Sequence, residues 1–294
     1  MGELEKVTLG ITTYGGAKFL RECLASIKKS VFDAKYSNVE VLVVDDGSPI
    51  DEKRMVEDVL RVQDVRGIFA CSNLGNVARY NTVVENAEGD IIFLIDNDVI
   101  IPDRWFWSAY VFLTMNKNVG VASYLSLKIE DDAHAVQLLS KKKVIAEGSG
   151  RVPERATELA GYCFGFRKES WKKVGGFDAD NFRFFMGDSD FCCRLAKEGL
   201  MSYRLLYPVV YHREHATYNT WFRGGMEQAQ LDMSNFKKKW DATSKEMEKR
   251  LLAEIAPQEI QWYANYAVHT EWDEENKQPF KPPIVHLPAG AVEK

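Results

Sequence analysis

Residues 89–105 read GDIIFLIDNDVIIPDRW and set the triplet Asp96-Asn97-Asp98 at the end of an apolar run typical of a buried strand. Two carboxylates this close repel each other at a cleft edge unless a cation lies between them. A strand-ending Asp is also a common turn former or helix cap, and for an isolated Asp-x-Asp that reading is the more frequent one. The positions after Asp98 lack the third oxygen ligand and the glycine of an EF-hand loop. The triplet therefore indicates either a turn or a site for a hard divalent ion with bound phosphates.

The chain before this stretch alternates strands and helices. Apolar, β-branched runs predict strands over residues 7–12, 39–44, 67–71 and 91–95, with helical segments at 17–30, 51–62 and 76–87 between them. This order is typical of an α/β fold with a doubly wound, mostly parallel sheet flanked by helices. Ligands bind such sheets at the carboxyl ends of the strands. The polar clusters at residues 12–14, 45–48 and 96–98 all fall on that edge.

The second half of the chain has a looser pattern. It predicts a helix over residues 105–115, a strand over 120–128, a polar loop over 141–158 and a strand followed by a short helix at 170–174. A helix over 188–199 precedes a last strand over 205–211, which Pro208 places at a sheet edge. Residues 224–256 are charged and helical, and residues 278–290 form a Pro-rich, extended tail.

Composition bounds the class of protein. With 294 residues, 46% of them hydrophobic, the chain can bury a sizeable core, which disfavours a disordered protein. A net charge of -5 disfavours a dedicated nucleic-acid binder. No apolar stretch reaches the roughly 20 residues that cross a bilayer, and the N-terminal sequence lacks the pattern of a signal peptide. We expect a cytoplasmic protein, with peripheral contact to a membrane surface left open. The five cysteines form no CxxC pair, which disfavours a zinc cluster or a disulfide framework.

Two further clusters bear on a nucleotide ligand. The cluster Asp45-Asp46-Gly47-Ser48 is either a tight turn or a source of a carboxylate that accepts a hydrogen bond from a nucleobase or a ribose hydroxyl. Arg79 lies near the N-terminus of its helix, where it gains nothing from the helix dipole, so it more plausibly serves an anion or a base carbonyl. The chain has no G-x-G-x-x-G after the first strand and no P-loop motif, which disfavours both of those nucleotide sites.

In their order along the chain, these segments resemble a known family. The segments TTY (12–14), VVDDGS (43–48), NLGNVARYN (73–81) and GDIIFLIDND (89–98) resemble the nucleotide-binding half of GT-A-fold glycosyltransferases, most closely glycosyltransferase family 2. The later segment FFMGDSDFCCRLAKEGL (184–200) resembles that family's ED-x-D-L-x-x-R catalytic segment, and VVYHREHATY (209–218) resembles its histidine segment. The resemblance spans residues 5–217, far more than a single Asp-x-Asp motif.

This resemblance implies a domain organisation and an activity. Residues 1–220 would be a GT-A domain, with a nucleotide-binding half (1–104) and an acceptor and catalytic half (105–220), while residues 221–294 would be a helical extension and extended tail. The implied enzyme is a hexosyl- or N-acetylhexosaminyltransferase. It would use Mn²⁺ or Mg²⁺ and a nucleoside diphosphate sugar, UDP-linked, with a glycan, protein or small-molecule acceptor.

The resemblance also implies roles for single residues. At the nucleobase, Thr12 and Tyr14 border the ring, Asp45 contacts a uracil-like ring with Asp46 beside it, and Arg79 assists. At the metal, Asp96 lies near the ribose and the water shell of the ion with Asn97 beside it, Asp98 ligates the ion, and His212 approaches the ion or the diphosphate. Asp188 is the catalytic base.

Transfer chemistry calls for the same residue types. A carboxylate opposite the leaving group can take the proton of the acceptor hydroxyl, which predicts inversion at the anomeric carbon. The family usually has an acidic residue directly before the catalytic base, and this chain has Gly187 at that position. Asp190 is therefore the alternative candidate for the base. Tyr162 and Trp171 flank the catalytic segment and are candidates to stack on an acceptor sugar, although aromatic residues are most often core.

Two other functions compete with a transferase. A sugar nucleotidyltransferase would be expected to carry a Gly-rich, basic loop after the first strand, and residues 13–18 are short and poor in basic residues. A catalytically inactive sugar-nucleotide-binding module is kept open by Gly187.

Overall fold

The computed structural model describes residues 5–32, 38–102, 105–140, 152–159, 161–213, 225–260, 272–273 and 278–279. Most of the predicted loop at 141–158, the end of the histidine segment at 209–218 and nearly all of the predicted tail lie outside these residues. The strands are β1 (Val7–Thr13), β2 (Val39–Asp45), β3 (Arg66–Phe69), β4 (Ile91–Asp96), β5 (Val99–Ile100), β6 (Val119–Lys128), β7 (Glu154–Arg155), β8 (Cys163–Arg167), β9 (Met201–His212), β10 (Trp272–Asp273) and β11 (Gln278–Pro279). The helices are α1 (Ala17–Phe32), α2 (Ile50–Gln63), α3 (Asn76–Asn86), α4 (Trp105–Met115), α5 (Asp132–Ser140), α6 (Lys168–Lys173), α7 (Gly187–Lys197), α8 (Gly225–Trp240) and α9 (Ser244–Glu254).

One mixed sheet forms the centre of the molecule, in the order β3-β2-β1-β4-β8-β6-β9-β5, with β7 paired to β9. Strands β3, β2, β1 and β4 run parallel, whereas β8 is antiparallel to both β4 and β6. The side chains of β1 are buried along its whole length, as are those of β4 up to Ile95, because helices cover both faces of the sheet. The predicted α/β fold with a doubly wound, mostly parallel sheet is confirmed.

The register of the parallel strands brings the predicted polar clusters together. Thr12 lies opposite Asp96 on β4, and Thr13 lies opposite Asp45 on β2. On the other side of β4, antiparallel pairing sets Ile95 opposite Cys163, and the Asp96 N–H donates to the carbonyl of Tyr162 over 2.9 Å. The segment that leads into β8 therefore meets the end of β4 at the same edge.

The prediction that Pro208 marks an edge strand is wrong. β9 lies inside the sheet, parallel to β6 on one side and paired to β7 and β5 on the other. Proline is tolerated because neither side of β9 is regularly paired at this point. The pairing with β6 shifts register between Leu205 and Val210. On the other side, pairing with β7 ends at Arg204 and pairing with β5 starts only at Tyr211. No described ladder pair therefore needs an N–H at position 208. Strand β5 and helix α5 were not predicted.

The predicted C-terminal helical extension is present as α8 and α9. Phe236 from α8 and Met247 and Leu251 from α9 belong to the main hydrophobic core, so the extension packs on the sheet domain. Helix α9 begins at a capping box, in which Thr243 accepts from the Glu246 N–H and the Glu246 side chain accepts from the Thr243 N–H. Among the described residues, no helix is long and apolar enough to span a bilayer.

Candidate active site

A cleft of about 770 Å³ opens at the carboxyl edge of β1 and β4. Its lining includes eight of the residues that the sequence predicts for the site: Thr12, Tyr14, Arg79, Asp96, Asn97, Asp98, Asp188 and His212. Asp45 and Asp46 are not among the lining residues. The fold thus gathers residues separated by up to two hundred positions into one cavity.

Three side chains in this cleft form a candidate metal centre. One ligand atom each of Asp96, Asp98 and His212 lies within 4.8 Å of the others. Asp96 ends β4, Asp98 lies in the turn before β5, and His212 ends β9. The pairing of Val99 in β5 with His212 brings the imidazole to the acidic turn, where its Nε2 lies 3.2 Å from Asp98 Oδ1. The short strand that the sequence did not reveal is what completes the cluster.

The chemistry of the cluster fits a hard divalent cation. Asp98 Oδ1 is buried and accepts no hydrogen bond from any residue that the structure describes. Burial, and then the neighbouring charge of Asp98, raise the pKa of Asp96 to about 6. A cation between the carboxylates would satisfy the oxygen and remove the repulsion. Two carboxylates and an imidazole, with room for phosphate oxygens, suit Mn²⁺ or Mg²⁺.

The imidazole of His212 is held against an aromatic ring. Its centroid lies 4.8 Å from that of Tyr162, and the Tyr162 hydroxyl donates to the carbonyl of Tyr124 over 2.7 Å. Tyr162, one of the two candidates for stacking on an acceptor sugar, lines the cleft. Its ring, however, contacts His212 and therefore lies beside the candidate metal centre. The other candidate, Trp171, donates its indole N–H to Asn81 and is not among the lining residues.

The predicted base, Asp188, lies in the first turn of α7. Burial raises its pKa to about 6, although its carboxylate accepts a 2.8 Å hydrogen bond from the Ser189 N–H. The backbone of Gly161 packs close beside it: a methyl group there would lie 2.9 Å from Asp188 Oδ2 and 3.2 Å from the Tyr80 hydroxyl. Burial thus makes ionisation of Asp188 less favourable than for an exposed Asp, and its carboxylate lines a cavity large enough for a substrate.

The residue before the base explains the departure from the family pattern. A Cβ atom on Gly187 would lie 2.5 Å from Cγ2 of Val77, so an acidic side chain fits there only if the Val77 side chain or α3 moves. Met186 just before it adopts a left-handed conformation with φ 63°, which is uncommon for a residue with a side chain. The backbone therefore turns sharply at Met186 and packs closely against α3 where α7 begins.

Asp190, the alternative candidate for the base, has a different environment. Its side chain is fully buried and is held by Arg194 Nε at 2.8 Å, Trp240 Nε1 at 2.9 Å and Lys239 Nζ at 2.7 Å. It is not among the lining residues of the cleft. With its oxygens bound to cations and an indole, Asp190 ties α7 to α8 and is not placed to act as a base.

Asp45 and Asp46 are both buried and hydrogen-bonded within the protein. Asp45 accepts from the N–H of Ser48 at 2.9 Å and from its hydroxyl, and Asp46 accepts from the N–H groups of Leu74 at 2.7 Å and Gly75 at 2.9 Å. These bonds fix the two turns that border the cleft. Direct contact of Asp45 with a base stays a prediction.

The remaining predicted residues surround the cluster. Thr12 donates to Asp96 Oδ1 over 3.3 Å, and Asn97 Nδ2 donates to the Thr13 hydroxyl over 2.7 Å. Arg79 donates to the Asn76 side chain, and its Nε lies 3.8 Å from Asp46 Oδ2. That Nε is buried and donates no hydrogen bond to the described part of the chain.

Other lining residues were missed by sequence reasoning. Glu158, Arg204, Lys245 and Glu248 also border the cleft, the last two from the helical extension. Glu248 accepts from the N–H groups of Thr157 at 2.7 Å and Glu158 at 2.8 Å. Each of these residues looks like an ordinary surface charge in the sequence, and only the packing of α9 reveals its place.

Comparison with known proteins places this geometry in a family. The sequence matches Glycosyl transferase family 2 over residues 8–175, more than half of the chain. Glycosyltransferase GlyG of Streptococcus pneumoniae is 30% identical over 108 residues, which is 36% of this chain and 34% of that protein. An uncharacterised glycosyltransferase of Nostoc sp. is 25% identical over 225 residues, 68% of this chain and 65% of that protein. The matches thus span less than two thirds of the length of these relatives.

Solved structures share the fold. The mannosyltransferase PcManGT of Pyrobaculum calidifontis, in complex with GDP-Man and Mn²⁺, superimposes with a TM-score of 0.58 at 21% identity and covers 85% of this chain and 69% of its own. Residues 1–349 of TarS from S. aureus, in complex with UDP, give a TM-score of 0.54 at 17% identity over 85% of this chain and 70% of that one. At this level of identity the likeness establishes the architecture.

Proposed function

The chain belongs to glycosyltransferase family 2, and on that premise we propose that it is a metal-dependent enzyme that moves a hexosyl or N-acetylhexosaminyl group from a nucleoside diphosphate sugar to an acceptor hydroxyl. The observation that carries the proposal is the cleft itself, which holds the Asp96, Asp98 and His212 cluster and the separate carboxylate of Asp188. A nucleotide sugar is also the donor named for the PcManGT structure, and UDP is bound in the TarS structure.

The donor side of the cleft is the cluster and its neighbours. Asp98, with Asp96 and His212, would hold Mn²⁺ or Mg²⁺, which supplies Lewis-acid stabilisation for the charge on the leaving diphosphate. Arg79 lines the cleft at this edge and would bind a nucleobase carbonyl or a phosphate oxygen. We propose a UDP-linked donor, with Thr12 and Tyr14 beside the base.

The acceptor side is built around Asp188. Its carboxylate takes the proton of the acceptor hydroxyl while that oxygen bonds to the anomeric carbon, and the bond from this carbon to the diphosphate breaks with its electron pair leaving on the diphosphate. Displacement from the opposite face inverts the anomeric centre. General base catalysis of this kind contributes about 10²–10⁴ in rate. A pKa of about 6 leaves Asp188 ionised at neutral pH yet more basic than an exposed Asp.

The halves of the chain divide the work in this proposal. Residues 1–104 bind the nucleotide, residues 105–220 carry the base and the histidine, and the helical part of residues 221–294 adds Lys245 and Glu248 to the acceptor end of the cleft. The acceptor is a glycan, a protein or a small molecule that bears a free hydroxyl.

A donor screen tests the proposal. The full chain is incubated with Mn²⁺ and, in turn, UDP-glucose, UDP-galactose, their N-acetylhexosamine counterparts and GDP-mannose, and release of nucleoside diphosphate is measured. We expect slow release from one UDP-sugar, even with water as acceptor, and none after chelation with EDTA. The Asp98→Ala variant is the matched control and should behave as the chelated enzyme.

Other outcomes would replace the proposal. Release of pyrophosphate from UTP and a sugar 1-phosphate would identify a nucleotidyltransferase. Tight nucleotide-sugar binding without turnover, unchanged in Asp188→Asn, would identify an inactive binding module. Release that is insensitive to EDTA would contradict the metal dependence alone.

A further inference from the structure

A buried carboxylate of the helical extension holds the backbone in front of the base. Asp232 in α8 has no exposed surface, and its two oxygens accept from three consecutive backbone N–H groups: Arg183 at 3.3 Å, Phe184 at 2.9 Å and Phe185 at 2.9 Å. A fourth bond comes from Gln228 Nε2 at 2.8 Å. Backbone N–H groups without a partner inside a protein are costly, so this carboxylate sets where the segment lies.

The segment that it holds leads directly into the base. Phe185 is followed by Met186, whose left-handed conformation at φ 63° precedes Gly187 and Asp188 in the first turn of α7. A non-glycine residue in this conformation is strained and persists only when its surroundings enforce it. The tight turn therefore needs an anchor on its N-terminal side.

The opposite side of the same segment is bound to the nucleotide half. The carbonyl of Arg183 accepts from the Val77 N–H in α3 over 3.2 Å, and the guanidinium of Arg183 donates to the carbonyl of Asn73 over 3.0 Å. Residue 183 is thus fixed from α8 through its N–H and from the start of α3 through its carbonyl. Asp232 supplies the half of this clamp that comes from the extension.

We propose that Asp232 is the positioning residue for the catalytic base: through the three N–H groups it sets the start of α7 and hence the place of Asp188 in the cleft. This inference rests on the proposed function, since it assumes that Asp188 takes the acceptor proton. A displacement of about 1 Å at a reacting group can cost about 100-fold in rate. The helical extension then belongs to the catalytic machinery and does more than cover the core.

The same helix offers a matched control. Asn235 lies one turn further along α8, and its Nδ2 donates over 2.8 Å to the carbonyl of Asn181, which precedes the clamped segment. Asn235→Ala removes a bond between the same helix and the same stretch of chain without touching the three N–H groups. It is expected to leave the rate of nucleoside diphosphate release unchanged.

The kinetic test compares three variants of the full chain with the donor that is active in the screen. Asp232→Ala should lower kcat for nucleoside diphosphate release about 100-fold. Asp232→Asn should retain part of the rate, because its Oδ1 can still accept from Phe184 and Phe185 while its Nδ2 faces the Arg183 N–H. Affinity for UDP with Mn²⁺, measured by calorimetry, should stay at the wild-type value in all three variants, since the donor side is not altered.

A second readout does not depend on turnover. Hydrogen exchange of the amides of residues 183–185 should be faster in Asp232→Ala than in Asp232→Asn, and unchanged in Asn235→Ala. If Asp232→Ala does not fold, the Asp232→Asn variant decides through the same exchange rates and through kcat.

Two results would overturn the inference. The first is a folded Asp232→Ala, or Asp232→Asn where Ala does not fold, with wild-type kcat and wild-type exchange at residues 183–185. The second is a parallel loss of kcat, nucleotide affinity and melting temperature, which indicates general loss of structure. If the wild-type chain releases no nucleoside diphosphate from any donor, the proposed function fails, while the exchange rates still decide whether Asp232 holds the segment.

Discussion

Two pairs of acidic residues end neighbouring regions of the same sheet, and the fold treats them in opposite ways. Asp45 ends β2 and Asp46 follows it, and there Ser48 and the N–H groups of Leu74 and Gly75 satisfy their oxygens. Asp96 and Asp98 end β4 and its turn, where Asp98 Oδ1 accepts no hydrogen bond from the described residues. The sequence shows two similar acidic turns. We infer from this difference that the carboxylate to which the fold supplies fewer donors is the better candidate to bind a ligand.

The same contrast recurs within one turn of α7. Asp190 is bound by Arg194, Lys239 and Trp240, whereas the hydrogen bonds that Asp188 accepts from the described residues come from backbone N–H groups, and burial raises its pKa. Replacing a satisfied carboxylate should cost stability, and replacing an unsatisfied one should cost function. The following predictions test that rule from the largest expected effect to the smallest.

Asp188→Asn should lower kcat for nucleoside diphosphate release by about 10²–10⁴, because the amide cannot accept the proton of the attacking hydroxyl. The same variant should be more stable than the wild type at pH 7–8. Since burial raises the folded-state pKa to about 6, Asp188 stabilises the fold at low pH and loses that contribution as the pH rises through about 6. The gain is at most about 3 kcal/mol, measured by urea unfolding.

Asp190→Asn is the matched comparison for this variant. Loss of the charge that pairs with Arg194 and Lys239 should lower the free energy of unfolding by about 3–5 kcal/mol. A folded Asp190→Asn with wild-type stability and a large loss of kcat would reverse the assignment of the two residues.

Asp98→Ala should weaken Mn²⁺-dependent binding of UDP at least about 100-fold, since it removes an oxygen ligand of the cluster; loss of a supporting residue alone typically costs 10–100-fold. The melting temperature of the metal-free protein should not fall, because the variant also removes the charge that opposes ionisation of Asp96. Titration calorimetry with and without Mn²⁺ measures the first effect. Equal affinity in the variant and the wild type would show that Asp98 is not a ligand.

Asp46→Ala should have the opposite profile. The N–H groups of Leu74 and Gly75 lose their acceptor, so the free energy of unfolding should fall by about 2–3 kcal/mol. The dependence of UDP binding on Mn²⁺ should remain in the folded variant. A stable Asp46→Ala protein that has lost its metal dependence would remove the distinction between the two acidic pairs.

The pH dependence of the rate is the smallest of these effects. With a pKa of about 6 in the free protein, about one tenth of Asp188 is ionised at pH 5, so kcat/KM should fall about tenfold between pH 7 and pH 5. Tyr80 from α3, Glu158 from the segment after β7 and Cys192 from α7 are among the titratable groups near it, and Glu158 acts to raise the pKa of Asp188. A flat profile of kcat/KM between pH 5 and pH 7 would argue against Asp188 as the base.

Local patterns predicted most of the sheet and the polar residues that line the cleft at the ends of β1 and β4. Continuous apolar runs mark the parallel strands because both faces of the sheet are covered, and the polar residues at their ends follow from the topology. The strand that ends in Asp96 and the helix that begins beside Asp188 could therefore be placed from the sequence alone.

Long-range packing decided the rest. Val99 and Ile100 look like the continuation of one apolar run, yet they pair with residues 211–212, more than 100 positions later in the chain. Pro208 suggested an edge strand because proline has no N–H to donate to a neighbouring strand. Inside the sheet this is tolerated because β7 and β5 leave position 208 unpaired, which the local sequence does not reveal. Asp232 looks like one charge among many on a polar helix, and only the docking of α8 gives it three backbone partners.

The close approach of Gly161 to Asp188 gives the base a direction. The backbone of β8's leading segment blocks movement of the carboxylate toward the sheet, because even a methyl group at residue 161 would lie 2.9 Å from Oδ2. The clamped segment before α7 restrains it from behind. Because Asp188 lines the cleft on its remaining side, the proposed base would meet an acceptor hydroxyl that approaches from the cavity, and this path is set before any substrate arrives.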